Sequence, residues 1–183
     1  MTGEEVIFEL KNNHLNTGMR GVPVGTCRTS FVTPSEGVHY CGYPISELGG
    51  MEPEDVIYLL FNKELPSPEQ SKEFKADLAS RTALPGGTRA VLSSLPKDGH
   101  PMDWLSVGIH TLGMLDGKDD WREDALNLIS RMPRLLGLIF RYREGRQDGI
   151  PEDNADLSLT ERFINTLQLD DVDHDKMRRV LNA

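Results

Sequence analysis

The sequence predicts an all-α, multi-helical protein with a small β-hairpin near its N-terminus. From residue 53 onward, apolar side chains recur at spacings of three and four residues, which is typical of amphipathic helices. Before that point, residues 22–32 and 37–42 are rich in Val, Thr, Phe and Tyr and flank a turn composition, so they predict two paired strands. A chain of 183 residues is long enough to bury one core, and we expect a single domain over 1–183.

Charge and apolar run length exclude several classes of partner. The net charge of -9 repels nucleic-acid phosphates and anionic membranes, so we expect neither as a partner. Apolar runs such as 135–140 are too short to span a membrane, and the acidic start is unlike a signal peptide. Cys27 and Cys41 are too few for a metal cluster or a disulfide scaffold. A cross-strand disulfide is the minor alternative to free thiols in a cytoplasmic protein.

Two helices are predicted between Pro53 and the chain break at 85–87. Pro53 opens the first, which stops at 64–66 and is apolar on most sides, as a buried helix is. Ser67 and Gln70 form a capping box with Pro68 at the first helical position, and this pattern begins the second helix. The residues predicted to face inward on the second helix are Phe74 and Leu78.

The middle of the chain predicts a short apolar segment and then two long helices. The short segment carries Val91, Leu92 and Leu95. In the helix that begins at Pro101, one stripe consists of Met102, Leu105, Ile109 and Leu112. Gly108 and Gly113 should allow another helix to approach closely. The next helix covers 121–144, where Pro133 must kink or restart it, so we expect two rods with a bend.

The C-terminal third predicts an acidic surface loop followed by two helices. The loop, from residue 147, should be solvated. Ser158 and Glu161 form a second capping box. The inward residues predicted for this helix are Phe163, Ile164 and Leu167. The last helix, with Met177, Val180 and Leu181, has no C-terminal stop signal, which favours a truncated chain.

Few side chains have the spacing of a metal or catalytic site. The five histidines are not at ligand spacing, and His100 is best interpreted as a helix-entry residue. Asp171, Asp173 and Asp175 alternate as in a calcium loop. However, Lys176 replaces the turn glycine, so we interpret these acids as complementing a helix N-terminus.

Arginines cluster around the end of the helix over 121–144. They are Arg131, Arg134, Arg141, Arg143 and Arg146. Arginine suits a dicarboxylate substrate because it binds carboxylates bidentately. The stronger interpretation is that cations near a helix C-terminus favour its dipole.

Several motifs, in order, resemble the citrate synthase family. They are Gly-Met-Arg-Gly at 18–21, Gly-Tyr-Pro-Ile at 42–45, Leu-Pro-Ser-Pro-Glu-Gln at 65–70, His-Pro-Met at 100–102 and Arg-Tyr-Arg-Glu-Gly at 141–145. One departure is Cys41, at a place where many members carry arginine. The resemblance implies the N-terminal portion of the large domain of a mostly helical, two-domain homodimer, without the small catalytic domain. It places the dimer contact on helices 101–115 and 121–144.

The resemblance also implies a reaction. The family condenses acetyl-CoA with oxaloacetate to give citrate and CoA, with coenzyme A as a substrate and no permanently bound cofactor. Arg20 matches a position where related enzymes direct an arginine towards the phosphates of coenzyme A, and Gly18 and Gly21 let the backbone approach an anion.

The family's two catalytic histidines and its aspartate all follow the point that matches Ala183. We therefore expect these 183 residues alone to be inactive and assign no catalytic or metal-binding residue. The alternatives are a 2-methylcitrate synthase and a shortened, non-catalytic dimerisation or regulatory module. An unrelated helical adaptor would require the motif series to be chance.

Overall fold

The computed structural model describes residues 6, 8–146, 150–169 and 173–182, and most of them are helical. The helices are α1 (Ile45–Leu48), α2 (Pro53–Asn62), α3 (Pro68–Ser80), α4 (Thr88–Ser93), α5 (Pro101–Asp116), α6 (Trp121–Arg143), α7 (Leu159–Leu167) and α8 (His174–Asn182). The strands are β1 (Ser30–Thr33), β2 (Gly37–Tyr40) and β3 (Tyr43–Pro44), and a 3₁₀ helix covers Asn12–Asn16. The predicted fold class is therefore confirmed.

The N-terminal sheet is antiparallel, with the strand order β1-β2-β3. The predicted hairpin is confirmed where Thr33 pairs with Gly37, but residues 22–29 are not part of the first strand. Pro23 removes a backbone donor from that stretch. The third strand was not predicted. It forms because Cys41 and Gly42 both have positive φ, 50° and 95°, which suits a two-residue hairpin turn.

Both predicted capping boxes are present. The Gln70 amide donates to Ser67 Oγ at 3.3 Å, and the Ser67 amide donates to Gln70 Oε1 at 2.8 Å. At the start of α7, the Glu161 amide donates to Ser158 Oγ at 3.3 Å and the Ser158 amide donates to Glu161 Oε2 at 2.9 Å. Each box satisfies two amides that the first turn of a helix leaves unpaired.

The main core lies between α4, α5 and α6. Its buried members are Leu92, Trp104, Leu112, Leu135, Leu138, Ile139, Tyr142 and Ile150. The predicted stripe on α5 is partly wrong, because Met102 is 58% exposed whereas Trp104 is buried. The Trp104 indole donates to the Pro96 carbonyl at 3.2 Å, which turns that face of the helix inward.

Close helix contact occurs at one of the two predicted glycines. A Cβ at residue 108 would lie 2.9 Å from Leu135 Cδ1, so α5 and α6 approach closely there because Gly108 has no side chain. Gly113 is exposed and has no neighbour in that position. Gly113 therefore makes no close helix contact within this chain, and an approach by a helix of a second copy stays a prediction.

Helix α6 continues through Pro133 as one helix, so the predicted restart is wrong and a bend there stays a prediction. Proline in a helix interior costs about 3 kcal/mol. Helices α3, α4, α5 and α7 pack against α6, and Thr166 of α7 donates its hydroxyl to the Pro133 carbonyl at 3.3 Å. Pro133 is therefore buried in a packed part of the helix.

The sequence suggested that the acidic segment after α6 is solvated surface. Part of this segment is instead packed against the rest of the protein. Ile150 is 8% exposed and belongs to the core. Asp153 Oδ2 accepts hydrogen bonds from the Thr82 hydroxyl and from Arg162 Nη1, and Arg162 itself is only 3% exposed. Residues 147–149 and 170–172 lie outside the described part.

The last two helices are α7 and α8, as predicted. On α7 the predicted inward residue Ile164 is buried, while Phe163 and Leu167 are half-buried. On α8, Val180 and Leu181 remain exposed. None of the described helices is long and apolar enough to cross a membrane.

Candidate functional site

Arg20 lies in a turn that follows the 3₁₀ helix over Asn12–Asn16. Its amide donates to the Thr17 carbonyl at 3.3 Å, and its side chain is exposed. Gly18 and Gly21 on either side have φ of 59° and 76°, a left-handed conformation that glycine adopts without strain. A Cβ at either glycine would have nothing within 4 Å. The turn therefore presents a guanidinium and open backbone to solvent, as an anion contact requires.

The arginine cluster is largely occupied by partners within the protein. Arg131 Nη2 contacts Asp116 Oδ2 at 2.5 Å, and Arg146 Nη2 contacts Glu144 Oε2 at 2.7 Å. Arg141 is 1% exposed and donates to Gln168 Oε1 at 2.7 Å. Arg134 Nη1 lies 3.9 Å from Asp153 Oδ1 and donates to the Pro151 carbonyl at 3.2 Å.

The pKa values in this cluster follow from the same contacts. Hydrogen bonds from Lys118 and Arg131 hold the pKa of the Asp116 carboxyl below its usual value. Burial lowers the pKa of the Arg134 guanidinium, although Asp153 opposes the shift. Only Arg141 and Arg143 lie in the last turn of α6, where the helix dipole favours a cation. Most of the cluster thus ties α6 to neighbouring segments, and its geometry does not favour the substrate-binding interpretation.

His100 is the helix-entry residue that the sequence predicts. Its backbone is extended and its Nδ1 accepts a hydrogen bond from the Met102 amide at 3.2 Å, so it caps α5. His110 is exposed on the same helix. Neither observation assigns a catalytic role to these two imidazole rings.

The alternating aspartates act at a helix N-terminus, as expected. Asp173 Oδ1 accepts from the Lys176 amide at 2.9 Å, and Asp175 pairs with Arg178 and Arg179. Asp171 lies outside the described residues. Within the described part, no group of three or more histidine, cysteine, aspartate or glutamate side chains is arranged to hold a metal ion.

Both cysteines are free thiols in the structure. Neither lies within a strand: Cys27 precedes β1, and Cys41 lies in the turn between β2 and β3. Hydrogen bonds from the hydroxyls of Ser30 and Thr29 lower the pKa of the exposed Cys27 thiol to about 6. The sequence contains these neighbours, but only the turned backbone brings both hydroxyls to the sulfur.

Large apolar side chains are exposed on α5 and on α6. They are Met102, Met114, Leu115, Trp121 and Phe140. Met114 is 88% exposed and Trp121 is 73% exposed, with the Trp121 ring stacked on Phe61 at a centroid distance of 6.0 Å. All five fall within 101–115 and 121–144, the two helices on which the family resemblance places a dimer contact.

Comparison with known proteins gives consistent results. The family model described as citrate synthase, C-terminal domain, matches residues 18–183. Mitochondrial citrate synthase 4 of Arabidopsis thaliana is 30% identical over 178 residues, covering 84% of this chain and 37% of the plant protein. Peroxisomal citrate synthase of Saccharomyces cerevisiae is 27% identical over 204 residues, covering 97% of this chain and 44% of the yeast protein.

Solved structures show the same likeness in three dimensions. The citrate synthase of Thermotoga maritima superposes with a TM-score of 0.76 at 26% identity, covering 90% of this chain and 44% of that one. The citrate synthase of Pyrobaculum aerophilum has a TM-score of 0.76 at 21% identity, which supports the fold alone. The chain spans less than half the length of each of these relatives. Because the family model covers nearly the whole chain, the chain belongs to the citrate synthase family.

Proposed function

We propose that this chain is the dimer-forming, coenzyme-contacting portion of a citrate synthase, which condenses acetyl-CoA with oxaloacetate to give citrate and CoA. The observation that carries the proposal is the family match over 18–183, which includes Arg20, α5 and α6. The proposed location is the cytoplasm. The two curated relatives named above are mitochondrial and peroxisomal.

In this proposal Arg20 binds the phosphates of coenzyme A. Its guanidinium has five N–H donors in a planar fork that matches phosphate oxygens. Within the described residues, neither a hydrogen bond nor an ion pair holds that side chain, so binding a phosphate breaks no existing contact. The positive φ of Gly18 and Gly21 leaves the backbone beside it unobstructed.

The bond-forming steps are proposed to lie outside these residues. The methyl carbon of acetyl-CoA must lose a proton, attack the oxaloacetate carbonyl and then have its thioester hydrolysed. By family resemblance, the histidines and aspartate for these steps follow residue 183. We therefore expect the 183 residues alone to bind coenzyme A without turning over acetyl-CoA.

A titration with coenzyme A tests this proposal. Replacing Arg20→Ala should weaken the Kd for CoA about tenfold, because a charge-assisted hydrogen bond is lost. Arg28→Ala is the matched control, since Arg28 is exposed in the same N-terminal segment and should leave the Kd unchanged. Isothermal titration calorimetry measures all three proteins.

Two results would contradict the proposal. One is an equal Kd in the Arg20 variant and in the wild type, and the other is no CoA binding by the wild type. Release of free thiol from acetyl-CoA or propionyl-CoA with oxaloacetate would show that these residues catalyse by themselves. The acyl group preferred in that assay would separate citrate from 2-methylcitrate synthesis.

A further inference from the structure

The sulfur atoms of both cysteines contact the same residue, Thr29, at one end of the N-terminal sheet. Cys27 precedes β1, and Cys41 lies in the turn between β2 and β3. Cys27 Sγ lies 3.5 Å from Thr29 Oγ1. Cys41 Sγ lies 3.7 Å from the Thr29 carbonyl oxygen. Two thiols that are 14 residues apart in the sequence are thus brought to one residue by the fold.

Backbone pairing holds Cys41 beside the segment that carries Cys27. The Cys41 amide donates to the Thr29 carbonyl at 2.8 Å, which continues the pairing of Ser30 with Tyr40 by one residue. Opposite residues in an antiparallel pair have Cα atoms about 5 Å apart, and a residue two positions further along is a diagonal neighbour at about 7–8 Å. Cys27 is two residues before Thr29. A disulfide requires Cα atoms about 4.4–6.8 Å apart, so a small movement of one segment is enough to form it.

The segment that carries Cys27 is free to make this movement. Cys27 is exposed, and residues 23–28 belong to no helix or strand. Their backbone makes no backbone hydrogen bond with any other described residue. Cys41 is half-buried, and its sulfur donates to the Leu59 carbonyl of α2 at 3.6 Å. Cys27 therefore approaches a fixed Cys41 without breaking the sheet.

The two thiols are suited to different steps of an oxidation. Hydrogen bonds from the hydroxyls of Ser30 and Thr29 lower the pKa of the exposed Cys27 thiol to about 6, so most of it is thiolate at pH 7. Hydroperoxides oxidise exposed thiolates to sulfenic acids, and a neighbouring thiol then converts the sulfenic acid to a disulfide. Cys41 is the less exposed of the two and suits the second step.

We propose that Cys27 and Cys41 form a reversible disulfide when a hydroperoxide oxidises Cys27. Cys27 Sγ attacks one peroxide oxygen, the O–O bond breaks, and the leaving oxygen takes a proton to give water or an alcohol. Cys27 becomes a sulfenic acid by losing two electrons, which reduce the peroxide. Cys41 Sγ then attacks the Cys27 sulfur, the S–O bond breaks, and the hydroxide leaves with the Cys41 thiol proton as water. A dithiol reductant returns both residues to thiols.

Peptide mass spectrometry of the peroxide-treated chain tests this proposal. The reduced protein, freed of reductant, is treated with hydrogen peroxide at neutral pH and digested without reduction. We expect a linked pair of peptides that carry Cys27 and Cys41, and an intact mass that is lower by two hydrogen atoms. Dithiothreitol should reverse both changes. In urea the linked pair should form several-fold more slowly, because the fold no longer holds the two segments together.

Two variants separate the two steps. Cys41→Ser removes the second thiol, so a sulfenic acid should accumulate at Cys27 and react with dimedone, whereas the wild type should lose most of that label. Cys27→Ser changes only an exposed side chain and should leave Cys41 as a thiol, which keeps the test decisive if the Cys41 variant does not fold.

Four results would overturn the proposal. They are an unoxidised Cys27 in the wild type, a disulfide that joins two chains, equal dimedone labelling of the wild type and Cys41→Ser, and a linked pair that forms as fast in urea as in the folded protein. None of these results depends on the coenzyme A titration.

Discussion

At the residue scale, Cys27 illustrates how two neighbouring hydroxyls change the chemistry of an exposed thiol. Its sulfur lies 3.5 Å from Thr29 Oγ1 and 3.4 Å from Ser30 Oγ, and both stabilise the thiolate. Cys41 Sγ instead donates to the Leu59 carbonyl at 3.6 Å and is half-buried. The two cysteines are therefore expected to differ in reactivity.

We predict that Cys27 is alkylated by iodoacetamide with an apparent pKa of about 6. The thiolate is the nucleophile, and at pH 7 it should exceed the thiol about tenfold. The rate should therefore fall as the pH drops below 6 and change little above pH 7. Peptide mass spectrometry over this pH range measures Cys27, with Cys41 as the internal control. A Cys27 rate that still rises steeply between pH 7 and 9 would contradict the prediction.

The sequence predicts residues whose partners are close along the chain and misses those whose partners are distant. His100 acts two residues away, on the Met102 amide, and Ser67 acts three residues away, on Gln70. Glu54 accepts the amide of Leu159, which is 105 residues away in the sequence. Asp153 contacts Thr82, which is 71 residues away. Such contacts depend on how the helices pack, which side-chain spacing does not specify.

At the scale of elements, the spacing of apolar residues predicts where a helix forms better than it predicts which face of that helix is buried. The N-terminal caps of α3 and α7 are those that the sequence predicts. On α5 the buried face turns towards Trp104, because a spacing of three and four residues fits two adjacent faces of a helix. On α6, Pro133 suggested a restart, but the helix is continuous and Pro133 is buried within it.

The contact between α6 and α7 gives a prediction at this scale. A Cβ on Gly137 would overlap the side chain of Thr166, which is 3% exposed and whose hydroxyl is held by the Phe163 carbonyl at 2.7 Å. We expect Gly137→Ala to lower the free energy of unfolding by about 1–3 kcal/mol. Urea denaturation followed by circular dichroism measures this change.

Gly113→Ala is the matched helical control. A Cβ there has nothing within 4 Å, so alanine should raise the free energy of unfolding by about 0.5–1 kcal/mol through its better helix propensity. Equal unfolding midpoints for the two variants would argue against the close packing of α6 on α7.

At the scale of the whole molecule, the order of motifs predicts the family and the fold together. The family model covers residues 18–183, and the T. maritima enzyme shares the fold at a TM-score of 0.76. Each motif alone is short, and their order along the chain carries the specificity. In the proposed function, these residues are expected to self-associate and to bind coenzyme A without catalysing the reaction.

Substitutions of the exposed apolar side chains on α5 and α6 test the proposed self-association. Met114 is 88% exposed, so Met114→Glu should not disturb the fold of one chain, but it would place a charge in the proposed dimer contact. Val180→Glu is the control, because Val180 is a helical residue that is 68% exposed and lies on α8. We expect only the Met114 variant to lose the dimer.

The most direct measurement is the molar mass of the purified chain in solution by light scattering. The proposal predicts twice the chain mass of 20.5 kDa for the wild type and for Val180→Glu, and 20.5 kDa for Met114→Glu. A wild-type mass of 20.5 kDa at tens of micromolar, or a dimer that Met114→Glu leaves intact, would contradict the assignment of α5 and α6 as the dimer-forming part of a citrate synthase.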